Sequence, residues 1–384
     1  MPNALNCEYN FILYRDTLVL GAISNDILRR TMGVSKYRKT RLFLVECSKE
    51  FSDHARNYTA TYDLEILVVQ FLQEVKVILL KKGINNQIIV THTWPNTLFS
   101  VVPVFRDQNL LLIEVGLPLF DRLPSGIRDR DYRDRILSTK PAIRMVTFRY
   151  RRAVKAAKMY VSISDYEKNV QDKYYDLQSD EVVYCPVDER YFLYAESERK
   201  SLMVFGKPNE NAIRCIMNSV GHDRIREIIL INSRLSLSGG FASDVKITDI
   251  RNYTFQEIRD VYKRALLSVT DESRGAFELM PIESIMSGVP IISPVVPSLK
   301  ILKDSLDSSH PQKEKKVYPF FGYINLVGGC KNDNISKELA SWYSEVEYQR
   351  EFFSVMCNKL FSIDAVARDF IAKVDQHFSY VSEK

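Results

Sequence analysis

Residues 266–299 read LLSVTDESRGAFELMPIESIMSGVPIISPVVPSL. Their types and spacing describe a place that holds an anion beside a hydroxyl-bearing group. Pro281 suits the first turn of a helix, where its missing N–H is no loss, and Gly288 followed by Pro290 stops that helix after about two turns. The free N–H groups of residues 279–283 then face the preceding loop. Such an end holds a phosphate through its N–H groups and dipole, for roughly 0.3–1 kcal/mol per exposed charge from the dipole alone. Glu283, placed in that first turn, offers a carboxylate that accepts two hydroxyl hydrogen bonds, as from a ribose. The competing reading makes Glu283 an N-terminal helix-capping carboxylate.

The neighbouring elements set where this helix must stand. Residues 266–270 are a short apolar, β-branched run that suits a buried parallel strand, and the polar Asp271-Glu272-Ser273-Arg274-Gly275 is the loop at its C-terminal end. Ile291-Ile292 starts the next strand. Ligands of open α/β sheets sit outside such strand ends. Upstream, Thr254 with Glu257 three residues on forms a capping box that opens the helix before the strand.

Residues 247–299 resemble the nucleotide-sugar-binding half of family 4 glycosyltransferases of the GT-B fold. That family has a helix leading into a strand, a Glu-Gly-Phe-Gly-Leu loop, a second Glu separated from the first by seven residues, and a helix ending in Gly-Thr-Pro-Val. Phe277, Leu279, Glu283, Gly288 and Pro290 match. The position of the first Glu holds Gly275, so the carboxylate that meets the donor sugar in the family is absent here or has moved to Glu272 or Glu278. The resemblance implies that Glu283 binds the donor ribose, with Gly275, Phe277, Glu278 and Leu279 around the donor.

Gly206-Lys207-Pro208 takes the place of the family's Gly-Arg-Leu, which implies that Lys207 meets the donor diphosphate. The second basic residue of the family falls about five positions later, at Ala212 and Ile213, with Arg214 close by. The alternatives are a surface lysine and a helix-face arginine. Thr91-His92-Thr93-Trp94-Pro95 ends a strand where the family has a His-x-His or His-x-Trp element beside the acceptor cleft, which implies a catalytic-site role for His92; the alternative is a structural hydrogen-bonder. Residues 159–168 and 181–192 resemble the family's "vIavSeylk" and "vipNGVDterF" segments, with Cys185-Pro186 in place of Asn-Gly, and this marks the crossing between two domains.

At 384 residues and 46% hydrophobic content the chain can fill two cores. The alternation of strands and helices predicts an α/β fold, and the resemblance implies two facing Rossmann-like domains with a cleft between them. Residues 1–196, with 364–384 crossing back, form the acceptor-side domain; residues 197–363 form the donor domain. In the first, strands are expected at 9–13, 18–20, 41–47, 87–91 and 110–115. A glycine turn at Gly21 brings backbone near a phosphate, or is simply a tight turn, and leads into a helix with Ser24 as N-cap, closed by Gly33. Asp63 caps a helix whose apolar residues run from Leu64 to Leu79. In the second, strands are expected at 202–205, 228–231 and 323–327, a mobile polar insertion at 304–316, and helix from 334 onward with a break near Ser362.

The formal net charge of +5 is mild and does not imply a nucleic-acid binder. Its distribution is uneven: residues 122–158 hold twelve Lys/Arg and three Asp. That run is either a solvated helix face or a patch for an anionic acceptor or anionic membrane. Six scattered cysteines without a Cys-x-x-Cys pair fit a reducing compartment, and no secretory signal or metal-ligand spacing is evident, so a cytoplasmic location is expected. The most apolar long stretch, 64–80, carries Glu65, Gln70, Gln73, Glu74 and Lys76, too many polar groups for a membrane span.

The expected activity is transfer of a sugar from a nucleotide-diphosphate sugar to an acceptor that is a glycan, lipid-linked or protein. Retention is implied by the resemblance, and no metal is required: Lys207, Arg214 and the helix N-terminus supply positive potential for the charge that develops on the β-phosphate. The rival expectations are a GT-B epimerase or phosphorylase and a catalytically silent nucleotide-sugar-binding protein.

Overall fold

Short β-branched and aromatic runs become parallel strands separated by helices, in two successive groups along the chain. The computed structural model describes residues 7–15, 22–83, 87–114, 141–233, 235, 245–251, 253–271, 277–309, 317–323 and 333–382. The chain divides into two compact units, Met1–Pro186 with Ile363–Lys384, and Val187–Ser362.

The first unit runs β1 (Glu8–Tyr14), α1 (Ala22–Ser35), β2 (Thr40–Val45), α2 (Lys49–Thr59), β3 (Glu65–Val69), α3 (Leu72–Lys81), β4 (Gln87–His92), α4 (Pro95–Phe105), β5 (Asn109–Ile113), α5 (Pro141–Val154), β6 (Met159–Ser162), α6 (Asp165–Tyr175) and β7 (Glu181–Val182). Its strands form one parallel sheet in the order β3-β2-β1-β4-β5-β6-β7. One face is covered by α3, α4 and α5, whose Val75, Leu79, Leu98, Val101, Phe105 and Val154 pack on Ile12, Phe43 and Leu112.

The second unit runs α7 (Glu189–Phe192), β8 (Ser201–Phe205), α8 (Glu210–Val220), β9 (Glu227–Ile231), β10 (Lys246–Ile250), α9 (Phe255–Arg264), β11 (Ala265–Thr270), α10 (Leu279–Met286), β12 (Ile291–Ser293), α11 (Pro297–Ser309), β13 (Phe320–Gly322), α12 (Asp333–Glu347) and α13 (Arg350–Phe361). Its parallel sheet has the order β10-β9-β8-β11-β12-β13. α14 (Ile363–Ser382) follows and packs on α1 in the first unit. In each sheet the strand order reverses beside the first strand, between β1 and β4 and between β8 and β11, the point at which doubly wound sheets hold ligands.

Several expectations are corrected. The helix expected from Asp63 is interrupted: residues 65–69 form β3, paired Leu42↔Ile66 and Leu44↔Val68 along β2, and the helix starts only at Leu72. A four-residue apolar run fits a strand and a helix equally, and here the open edge of β2 decides. Gly33 does not close α1 but lies inside it, because it faces α14: a Cβ there would stand 2.7 Å from the Ala367 Cβ and 2.8 Å from the Ile363 carbonyl oxygen.

Residues 304–309 are the last turns of α11, with Leu302 and Leu306 buried, rather than an insertion. Among the described residues the last strand is β13, which starts three residues earlier than expected, since Phe320 and Phe321 pair with Ile291 and Ile292. The polar edge strand β10 and helices α2 and α4 were not anticipated. Residues 18–20, Gly21, 122–140, 236–242, Glu272, Gly275, 310–316 and 324–327 lie outside the described residues. Among the described residues no helix is long and apolar enough to cross a membrane.

Candidate functional site

The switch point of the second sheet is built by loops tied to one another across strand ends. Val204 and Phe205 of β8 lie in register with Val269 and Thr270 of β11. The chain leaves β8 through Gly206, whose φ of 69° falls where side-chain-bearing residues are strained. The Lys207 N–H then donates to Asp271 Oδ1 at 2.8 Å, Ser233 Oγ after β9 donates to the Gly206 carbonyl at 2.6 Å, and the Asn209 N–H donates to the Tyr323 hydroxyl at 2.6 Å. The β8–α8 loop is thus fixed to the ends of β9, β11 and β13, and the exposed Lys207 side chain leaves from a rigid backbone.

α8 begins at Asn209, whose Oδ1 accepts the Asn211 N–H at 2.8 Å. Arg214, one turn into α8, donates from Nη2 to Glu210 Oε1 at 2.7 Å. The structure therefore brings Lys207 and Asp271 together and engages Arg214 with a carboxylate of its own helix.

Because α10 follows β11 and precedes the parallel β12, its N-terminus stands at the same strand ends. Glu278 is its N-cap in extended conformation and makes no side-chain cap hydrogen bond; its carbonyl accepts from Ser298 Oγ at 2.9 Å. With the helix starting at Leu279, Pro281 is its third residue and Glu283 falls in its second turn, not its first, so Glu283 does not serve as the N-terminal cap. Glu283 is half-buried near Tyr262, whose hydroxyl is pushed well above its usual pKa by burial first and then by the Glu283 and Tyr253 charges. Phe277 is buried edge-on against Phe361, ring centroids 5.7 Å apart.

The other end of α10 is held by two largely buried guanidinium groups. Arg350 donates to the Gly288 carbonyl at 2.7 Å, the Leu266 carbonyl at 2.9 Å and the Tyr343 hydroxyl at 2.8 Å. Arg199 donates to the Ser287 carbonyl at 2.9 Å and to the Tyr262 and Ala265 carbonyls at 3.0 Å each. Burial, then the Arg350 charge, lowers Arg199 to about 10. Cations at a helix C-terminus also suit its dipole. Ser284 and Ser268, 2.6 Å apart, lock the helix onto β11. Gly288 admits no side chain, since a Cβ would meet the Tyr194 ring at 2.3 Å.

In the first unit, His92 ends β4 and is enclosed. The Trp94 N–H donates to its Nδ1 at 3.2 Å, and Nε2 lies 3.5 Å from Thr97 Oγ1. An accepting Nδ1 places the proton on Nε2, and burial lowers the imidazole to about 3. His92 is thus a neutral hydrogen-bonder that shapes the β4–α4 turn. Two buried carboxylates stand out, Glu114, which the sequence did not single out, and Asp188, which lies in the segment 181–192 that carries the resemblance. Glu114, just after β5, accepts from the Tyr160 hydroxyl at 2.7 Å and from the Tyr150 hydroxyl. Asp188 caps α7 and pairs with Arg190 at 2.6 Å. Asp271 was legible as part of a strand-end loop; Tyr323, Arg199 and Arg350 were not, since charged and phenolic residues read as surface until their acceptors are in place. Among the described residues no group of three or more His, Cys, Asp or Glu could hold a metal ion.

No family model and no curated protein sequence matches this chain. Solved structures do. Sucrose-phosphate synthase from Thermosynechococcus elongatus superposes over 97% of this chain and 100% of its own, with a TM-score of 0.64 and 11% identity. The UDP-GlcNAc 2-epimerase from Neisseria meningitidis, bound to UDP-GlcNAc, covers 96% and 100% at 0.55 and 10% identity. The lipopolysaccharide outer core galactosyltransferase WaaB in its apo form covers 97% and 99% at 0.54 and 11% identity. The chain has the GT-B fold. The likeness extends over both parallel-sheet α/β units.

Proposed function

We propose that this GT-B chain is a cytoplasmic glycosyltransferase that takes a sugar from a nucleotide-diphosphate donor held at the strand ends of its second unit. The observation that supports this most is the Lys207–Asp271 link at the β8/β11 switch point beside the N-terminus of α10. A diphosphate there meets a fixed lysine and two helix N-termini, and Glu283, one turn along α10, is the carboxylate for the ribose hydroxyls. Lys207, aided by Arg214, stabilises the charge on the leaving β-phosphate as the glycosidic bond breaks, and the reaction proceeds with retention and without a metal cofactor. Glu278 stands in for the carboxylate that meets the sugar, while His92 keeps the β4–α4 turn in shape. The acceptor is a glycan, free or lipid-linked, or a protein, approached with peripheral contact to an anionic membrane through residues 122–158.

The likeness to an epimerase that was bound to UDP-GlcNAc supports a second reading, a nucleotide-sugar epimerase. One experiment separates the two. The chain is incubated without acceptor with UDP-, GDP- and ADP-linked sugars, and products are followed by NMR. Slow release of nucleoside diphosphate with free sugar of the donor's anomeric configuration supports transfer. A donor that changes its sugar configuration supports epimerisation, and binding without turnover identifies a silent sugar-nucleotide binder.

A further inference from the structure

Helix α3 ends one side of the first sheet's helical layer, packing on α4 and β3. It is amphipathic with a twist: Leu72, Val75 and Leu79 are buried, yet the opposite face is also apolar at its centre, with Val77 49% and Leu80 53% exposed and Phe71 at the N-cap 57% exposed. Glu74 and Lys81, both exposed, flank this apolar centre, and among the described residues neither has an ion-pair partner. Beside α3 runs the open edge of the sheet. Its strand β3 carries one charge, Glu65 at its start, and none over residues 66–69, whereas the corresponding edge of the second sheet, β10, carries Lys246 and Asp249.

We propose that α3 is a self-association surface, on which a second copy of this chain packs its own α3 antiparallel across a two-fold axis near Val77. The charges select this occupant. Glu74 lies three residues before Val77 and Lys81 four after it, one helical turn to either side and on the same face. A two-fold axis reverses the helix direction, so it sets Glu74 of each copy against Lys81 of the other while Val77 and Leu80 of both are covered. On this face Glu74 and Lys81 offset one another, with Lys76 on the flank of the helix, and an unrelated partner would require no such internal symmetry.

Sedimentation velocity of the full chain over a concentration series tests this. The wild type is expected to show a reversible monomer–dimer equilibrium, and Val77→Lys with Leu80→Lys to be monomeric throughout with an unchanged melting transition, since both side chains are half exposed. Glu74→Lys and Lys81→Glu, each creating two like-charge contacts, should each weaken the dimer, and the double variant should restore it. A wild type that stays monomeric at every concentration would overturn the proposal, as would a dimer indifferent to Val77→Lys or a double reversal no better than the single ones. A monomer that floats with phosphatidylcholine vesicles through Val77 would give the face to lipid instead.

Discussion

Glu283 combines a half-buried position in the second turn of α10 with a phenol, Tyr262, that senses its charge. Replacing it by Gln keeps the size and packing and would weaken the acceptance of two ribose hydroxyls proposed for it. Affinity for a nucleoside diphosphate should fall by roughly 1.5–3 kcal/mol, the range for hydrogen bonds to a charged group; unchanged binding in calorimetry, with melting intact, would remove Glu283 from the ribose. Lys207→Ala should act on turnover, lowering kcat on the order of 10²–10³, because its charge counts most as the β-phosphate gains charge. A change in acceptor KM alone would place Lys207 elsewhere. His92 makes a different kind of prediction. Its imidazole, lowered by burial to about 3 from an ordinary 6.5, stays neutral when folded. Between those pH values the unfolded chain binds a proton that the folded chain refuses, so stability falls as pH drops through that window and is fully kept above it. Melting temperature against pH should lose part of this slope in His92→Gln; an identical slope would show that other groups set it.

At the level of elements, Gly33 shows how a helix-to-helix contact overrides local preference. In an isolated helix, Gly→Ala stabilises by about 1 kcal/mol. Here the added Cβ meets the Ala367 Cβ and the Ile363 carbonyl at under 3 Å, and neither is the flexible end of a side chain. Gly33→Ala should therefore destabilise the first unit by ~1–3 kcal/mol, the cost of overpacking, in chemical denaturation. A stabilised variant would mean that α1 and α14 separate freely. The capping box at Thr254 needs no such context: the Thr254 hydroxyl accepts the Glu257 N–H, and the Glu257 carboxylate accepts the Thr254 N–H at 2.6 Å, as their spacing alone foretold.

Over the whole molecule, a net charge of +5 is concentrated rather than spread. The described part of the basic run is the end of α5, where Tyr150 and Val154 are buried, Arg151 pairs with Asp176, and Lys155 lies 3.9 Å from the same carboxylate. That leaves Phe148, 64% exposed, with Arg149 and Arg152 as the outward pattern, an aromatic beside two cations that suits an anionic bilayer surface. Binding to anionic vesicles should weaken steeply with salt, as the Debye length shrinks from about 10 Å at 0.1 M to about 3 Å at 1 M. Arg149→Glu with Arg152→Glu should abolish it while nucleotide binding persists. Equal partition of the wild type onto neutral and anionic vesicles would make this face merely solvated.

The sequence by itself determined the features that rest on short spacings. The strand, helix and strand around Glu283, the Thr254 cap, the Gly288 stop and the break at Ser362 all depend on residues within a few positions of one another, and backbone chemistry acts at that range. Tertiary structure alone decided what depends on a distant neighbour. Residues 65–69 became a strand because β2 offered an edge, and Gly33 stayed helical because α14 needed the space. Arg199 and Arg350, unremarked as charged residues in the sequence, are largely buried because the carbonyls at the end of α10 and the start of β11 gather round them. A buried charge is tolerated only where acceptors converge, and convergence across 62 to 88 residues of chain is a property of the folded state alone.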